Sequence, residues 1–252
     1  ALAACRAQEP PAFTPPGPNV ALNKPYTMEP PPNYVDCADD GDKTQLTDGV
    51  YSEGYFWVQP QTVGWVRTHP VAITIDLGQP EPIAGLSYST AAGVADVNWP
   101  AEILIMVSDD RQAWTAVGDL IELSNRRGAP PPTPYRLHRF TTDELRAHGR
   151  YVALVVDCDP YTVVDEVEVY RGEEAWLSQP QEGKTVTQSP LEYRKGRQVL
   201  TAIQSRMKAD LSEVLVGLEA ANLPGAEKAA LRQRADSLRA EVEACEDVPE
   251  GF

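Results

Sequence analysis

From Val71 to Gly172 the chain is built of short runs in which apolar and polar positions alternate with a period of two. Val71–Leu77, Ile83–Ser89, Ile103–Ser108, Tyr135–Thr141, Tyr151–Asp157 and Val163–Gly172 each read as a strand. In the last run Asp165, Val167 and Val169 fall on one face, and Val164, Glu166, Glu168 and Tyr170 on the other. Its β-branched residues support the assignment. Turn signals such as Gly78-Gln-Pro80 and Asn98-Trp-Pro100 separate the runs. Many short strands without intervening helical periodicity predict an all-β sandwich.

After Gly172 the pattern changes. Residues 173–190 are polar and read as a linker. Apolar residues then recur at Leu200, Ile203, Met207, Leu211, Val214, Leu215 and Leu218, in the steps of an amphipathic helix. Asn222-Leu-Pro-Gly225 interrupts it, and Leu231, Leu238, Val242 and Cys245 mark a second helix. The short break predicts an antiparallel helical hairpin over residues 191–246, followed by a tail at 247–252. Such a hairpin is marginal alone. Its stripe needs the sandwich, another hairpin or a further domain to pack on. At the other end, residues 1–18 hold Pro10, Pro11, Pro15, Pro16 and Pro18 and read as an extended tether. The sandwich is thus expected over residues 19–172.

Charge narrows the partners. The 252 residues carry a net charge of -15. That opposes binding to nucleic acid phosphates and to anionic membrane surfaces, and suits a neutral ligand or a cation. No run of about 18 apolar residues is present to span a bilayer. Four cysteines, Cys5, Cys37, Cys158 and Cys245, allow three full pairings. Ala1-Leu-Ala-Ala-Cys5 is similar to the end of a bacterial signal peptide, with Cys5 lipidated or the small residues forming a cleavage site. Export to an extracytoplasmic location is therefore expected, with Cys5 as the candidate lipid anchor, and it makes a disulfide permissible. The closing Glu246–Phe252 reads as part of a longer protein.

Two constellations carry candidate chemistry. Asp36, Asp39, Asp40, Asp42 and Asp48 crowd one turn-rich segment, and hard cations such as Ca2+ take six to eight oxygen ligands from carboxylates and carbonyls on tight loops. The spacing does not fit an EF-hand. The second constellation is aromatic. Sugars are recognised by an aromatic face against their C–H face, with a few placed donors and acceptors around it. Tyr55, Trp57, Arg67, His69, Asn98 and Trp99 lie in loop segments that one end of a sandwich can bring together. Tyr161 lies in a third loop, and Trp114 is assigned to the core. Catalysis finds little support. His69, His138 and His148 lie in no zinc spacing, and neither a Gly-x-Ser-x-Gly elbow nor a phosphate loop is present. Asp165 and Glu166, adjacent on a strand, point to opposite faces and make a poor acid/base pair.

Five motifs in order resemble discoidin, or coagulation-factor type C, domains. They are Asn19-Val-Ala-Leu-Asn-Lys-Pro25, Leu46-Thr-Asp-Gly49, Ile73-Thr-Ile-Asp-Leu-Gly78, Val107-Ser-Asp-Asp-Arg-Gln-Ala-Trp114 and Asp165-Glu-Val-Glu-Val-Tyr-Arg-Gly172. The resemblance covers residues 19–172. It implies a galactose-binding-like jelly roll of two antiparallel sheets, similar to family-32 carbohydrate-binding modules attached to carbohydrate-active enzymes. It also implies a structural calcium between the Asp-Gly loop and the last strand, which maps onto Asp42, Asp48 and Glu166. Joining those segments would bring Cys37 near Cys158, so a disulfide between them is expected. One departure is that many animal members bond the domain's first and last residues by a disulfide, whereas these cysteines sit inside loops. That weakens a phospholipid-binding analogy. The sequence thus predicts a noncatalytic glycan- or polysaccharide-binding module, of the kind found as the accessory part of a longer carbohydrate-active enzyme. The alternative is a protein-interaction or scaffold module working through the hairpin.

Overall fold

The computed structural model describes residues 13–245, in two compact units that divide between Leu191 and Glu192. The first is an antiparallel β-sandwich. Its strands are β1 (Tyr26–Glu29), β2 (Val63–Val66), β3 (Val71–Ala92), β4 (Glu102–Ser108) and β5 (Trp114–Asp119). A short helix α1 (Leu120–Asn125) precedes β6 (Arg136–Thr142), β7 (Ala147–Asp157), β8 (Tyr161–Val164), β9 (Glu166–Arg171) and β10 (Lys184–Val186). The second unit is a pair of helices, α2 (Pro190–Ala220) and α3 (Gly225–Ala244).

β3 links the two layers. Its first half pairs with β1 and β7, and its second half with β6 and β9. The register shifts between Asp76 and Glu81, where Gly78 takes a φ of 88° that a side-chained residue rarely adopts. The two strand runs expected on either side of Gly78-Gln-Pro80 are therefore one bent strand. On one layer Ile73, Ile75, Ile103, Ile105, Val152 and Leu154 point inward at alternate positions. They meet Leu86, Tyr88, Phe140, Val167 and Val169 from the other in a single core.

The expected last strand is divided. It ends as β8 at Val164, paired with β2, and resumes as β9 at Glu166, paired with β3. Asp165 makes the break, with its carboxylate accepting a hydrogen bond from the Ser52 N–H at 2.7 Å. The break shifts the phase of the alternation, so Val164 and Val167 both reach the main core.

Other elements depart from the sequence reading. β2 falls in the expected aromatic loop, and β5 with α1 fills a stretch without strong periodicity. The expected linker at 173–190 is structured. It contains a helical turn at Glu174–Ser178 and β10, which pairs with β5. A Cβ on Gly172 would lie 2.2 Å from the Trp176 ring, so the absence of a side chain there seats this segment. Trp114 is buried as expected. The tail at 247–252 and the residues before Phe13, Cys5 and the signal-like segment among them, lie outside the described residues.

In the second unit α2 and α3 run antiparallel. The Gln204 side-chain amide donates to the carbonyls of Val242 and Cys245, each at 2.9 Å. Arg232 pairs with Glu219 at 2.8 Å and Lys208 with Glu243 at 3.4 Å. No helix among the described residues is long and apolar enough to cross a membrane.

Substituting Gly172→Ala is expected to destabilise the sandwich by about 1–3 kcal/mol through overpacking against Trp176. Gly196→Ala, in the interior of α2 with open space around it, is expected to stabilise its helix by about 0.5–1 kcal/mol. Denaturant unfolding of the two variants, followed by tryptophan fluorescence and by helical circular dichroism, checks both signs.

Candidate functional site

One end of the sandwich gathers most of the chemistry-bearing side chains. The strand registers fix which end this is. Ala92 lies opposite Arg136, Val71 opposite Val156, Glu102 opposite Asp157, and Val66 opposite Tyr161. The segments at 51–62, 67–70, 93–101, 129–135 and 158–160 therefore emerge together.

The first group is aromatic. Tyr55 is 45% exposed, and its ring stacks on Tyr135 at 5.1 Å. Trp57 meets both rings edge-on, at 4.8 Å from Tyr55 and 5.5 Å from Tyr135. The Tyr135 hydroxyl donates to the Gly54 carbonyl at 2.7 Å and accepts from the Phe56 N–H at 3.0 Å. It thereby clamps the loop that presents Tyr55. Trp57 itself is only 5% exposed and belongs to a second core cluster with Phe56, Ala91, Ala92, Val97 and Val163. As a contact residue it is corrected to a supporting one. The turn at Phe56–Val58 rotates successive side chains inward together, which an extended loop does not do.

The second group is polar and centred on the turn after β7. His69 Nδ1 lies 2.8 Å from an Asp157 oxygen, and its Nε2 lies 3.5 Å from Asp159. The Asn98 side-chain amide donates to the Asp159 carbonyl at 3.2 Å. The Arg67 N–H donates to the Pro160 carbonyl at 2.7 Å, and Arg67 holds a φ of 51° with its side chain exposed. His69, Asn98 and Arg67, predicted from sequence, thus meet at one turn. Trp99 bridges the groups from below. It is partly buried against both cores, with its indole N–H on the Pro131 carbonyl at 3.0 Å. Sequence reading missed Tyr135, Asp157 and Asp159. Tyr135 was legible as an aromatic closing a proline-rich loop.

The expected calcium segment lies around the Tyr26 hydroxyl. That group donates to the Asp42 carbonyl at 2.6 Å and accepts from the Leu46 N–H at 3.2 Å. Burial, with the charges of Asp42, Asp48 and Glu166, pushes the Tyr26 phenol up to about 12. The Asp42 carboxylate accepts from the Gln45 amide at 3.2 Å, and that of Asp48 from the Val50 N–H at 2.8 Å. Glu166 is fully buried. One of its oxygens accepts from the Gly49 N–H at 3.1 Å, while the other has no partner. Burial, with Asp48, Glu168 and Asp165 nearby, pushes its carboxyl up to about 9. An orphaned, charge-crowded buried carboxylate oxygen fits a cation. Yet among the described residues no three acidic, His or Cys side chains form a metal-holding group.

The expected Cys37–Cys158 disulfide is corrected. Both residues are buried thiols. Cys37 Sγ turns to the Tyr34 carbonyl at 3.8 Å, and Cys158 Sγ to the Asn98 carbonyl at 3.4 Å. Burial and neighbouring aspartates push both thiols up to about 12, which disfavours the thiolate form.

No family model matches the chain, and no curated protein matches it. Several solved structures are similar. The module CpGH89CBM32-6 of Clostridium perfringens is 17% identical, with 62% of this chain and 100% of that one covered and a TM-score of 0.38. A fucose binding module of Streptococcus pneumoniae, SpX-3, is 16% identical, covering 62% and 99%, at 0.41. Chitosan-binding module 1 from a chitosanase/glucanase of Paenibacillus sp. IK-5 is 18% identical, covering 60% and 98%, at 0.38. Likeness at these scores transfers no residue role and no ligand to this chain.

His138, beneath the site, stands edge-on to Phe140 at 4.5 Å and to Trp99 at 5.6 Å, with its Nε2 buried and unpartnered. Burial, and then Arg136, lowers its pKa from 6.5. The unfolded chain therefore takes up this proton at a higher pH than the folded one. His138 thus contributes stability that is present above about pH 6.5 and lost as pH falls below it, opposite in sign to the contribution of the raised Glu166 carboxyl. Thermal melts of parent and His138→Phe from pH 8 to 5 check this: the Tm of the variant relative to the parent is expected to rise as pH falls.

Proposed function

We propose that the sandwich is a noncatalytic carbohydrate-binding module that takes a neutral glycan or polysaccharide. The carrying observation is the exposed Tyr55 ring, braced by Tyr135 and Trp57, at the same end of the fold as the His69, Asn98 and Arg67 turn. A braced ring offers a flat apolar face at little entropic cost. The polar turn supplies donors and acceptors for sugar hydroxyls. The net charge of -15 favours an uncharged ligand. In this reading the ligand is held and not transformed, and the shallow site binds weakly. We place the module in an exported protein, as an accessory to carbohydrate-active machinery.

Titration of a glycan and polysaccharide panel tests the reading. Saturable binding to one sugar class is expected, with affinity reduced at least about tenfold by Tyr55→Ala, roughly the loss of one stacking contact. Because Tyr55 is exposed, the variant should melt like the parent. A folded parent that binds no sugar, or a variant that binds equally well, would overturn the proposal.

We also propose that a Ca2+ ion stabilises the scaffold with Glu166 as its buried ligand and the turn bearing Asp42 and Asp48 around it. What supports this is the unpartnered Glu166 oxygen and the raised Glu166 carboxyl. With its carboxyl raised, Glu166 is expected to be protonated at pH 7 in chelator-treated protein. Millimolar Ca2+ is then expected to raise Tm and to release about one proton per protein. Glu166→Gln should lose both responses. A parent with neither response would exclude the ion.

A further inference from the structure

α2 and α3 carry two apolar seams, of which the hairpin closes only one. The closed seam sets Gln204, Leu211 and Leu218, at steps of seven, against Ala235 and Val242, also seven apart. Leu218, Ala235 and Val242 are buried in it. The open seam has the same period. It comprises Leu200, Met207 and Val214 on α2 with Ala221 just past its end, and Leu231 and Leu238 on α3 with Cys245 just past its end. These residues, together with Gln204, Leu211, Leu218, Ala235 and Val242 of the first seam, line two hollows of about 190 and 480 Å³ that share Leu238 and together make a groove along the hairpin. Met207 is 42% exposed, Val214 59% and Leu231 46%. A seven-residue apolar repeat on two antiparallel helices is the pattern of a helix bundle, not of a solvated face.

The distribution of charge along the hairpin indicates what covers the groove. The open-end half of the hairpin, residues 192–208 with 239–245, holds six basic residues against three acidic ones. The half nearer the turn, residues 209–238, holds three basic against five acidic. The hairpin is therefore positive at one end and negative at the other, and close to neutral in total. A second hairpin laid antiparallel on the groove sets each positive end beside a negative one, while a parallel arrangement sets like beside like. A two-fold axis across the hairpin makes the contact self-complementary.

We propose that the C-terminal hairpin is a self-association module, in which two copies of the chain pair antiparallel through the open seam into a four-helix bundle. The pairing is independent of what the sandwich binds. Where the sandwich holds a polymeric ligand, it makes a weak site bivalent, and repeated ligands gain avidity without new contacts.

Sedimentation equilibrium of the full chain tests this. The chain has a mass of 27.6 kDa, and a species of twice that mass is expected at micromolar concentration. Leu231→Glu and, separately, Val214→Glu are expected to raise the dimer dissociation constant at least tenfold. Because both side chains are exposed, helical circular dichroism should be retained. High salt should weaken the dimer. Orientation is read by oxidising Ala221→Cys, which places a thiol at the turn end of the same groove. Antiparallel pairing joins it to Cys245 of the second copy, whereas parallel pairing joins it to itself. A monomer at 100 µM with intact helices, a dimer indifferent to both glutamates, or a cross-link between two Ala221→Cys positions would overturn the proposal.

Discussion

The sandwich depends on two adjacent buried carboxylates where β8 gives way to β9. Asp165 accepts from the Ser52 N–H at 2.7 Å and Glu166 from the Gly49 N–H at 3.1 Å. Both are fully buried. A buried carboxyl group needs partners, because desolvation costs more than any one hydrogen bond returns. Each finds one in the segment 49–52, which leads directly into the loop carrying Tyr55 and Trp57, while Asp165 Oδ1 and Glu166 Oε1 are left without one. The Ser52 hydroxyl in turn lies 3.2 Å from that of Thr62, at the far end of the same loop. The carboxylates thus fix both the turn below them, where the cation reading centres, and the start of the aromatic loop. Satisfying this pair also forces the strand to break at Asp165 and exchange β2 for β3 as its neighbour.

Where burial follows a period, the sequence was legible. Alternation marked β3, β4, β6 and β7, and steps of three and four marked both helices. The elements it missed are those held by partners distant in the chain. β2 is a four-residue strand containing a glycine, and it exists because β8 pairs with it. β10 has three residues and depends on β5. The run Val163–Gly172 read as one strand because every residue in it suits a strand. Only the Ser52 contact, 113 residues away, reveals the break.

The candidate site was legible in its residue types and not in their directions. Tyr55 and Trp57 are two residues apart and equally aromatic, yet one is exposed and the other is core. The helical turn at Phe56–Val58 decides this, and it forms because Thr62 and Tyr135 hold it from outside the turn. Thr62 donates its hydroxyl proton to the Phe56 carbonyl at 2.8 Å. The disulfide expectation failed for a related reason. Proximity of two loops does not aim two Sγ atoms, and each thiol here faces a carbonyl near its own loop.

Charge is divided between the two units in a way composition conceals. Residues 13–191 hold twelve basic and twenty-five acidic side chains, whereas residues 192–245 hold nine and eight. Almost all of the net negative charge among the described residues therefore belongs to the sandwich. A surface so charged resists packing on its own kind, which keeps its exposed aromatic ring from serving as a general adhesive contact. The hairpin carries no such penalty and leaves an apolar seam uncovered. The self-association proposed above is therefore assigned to the hairpin and not to the sandwich.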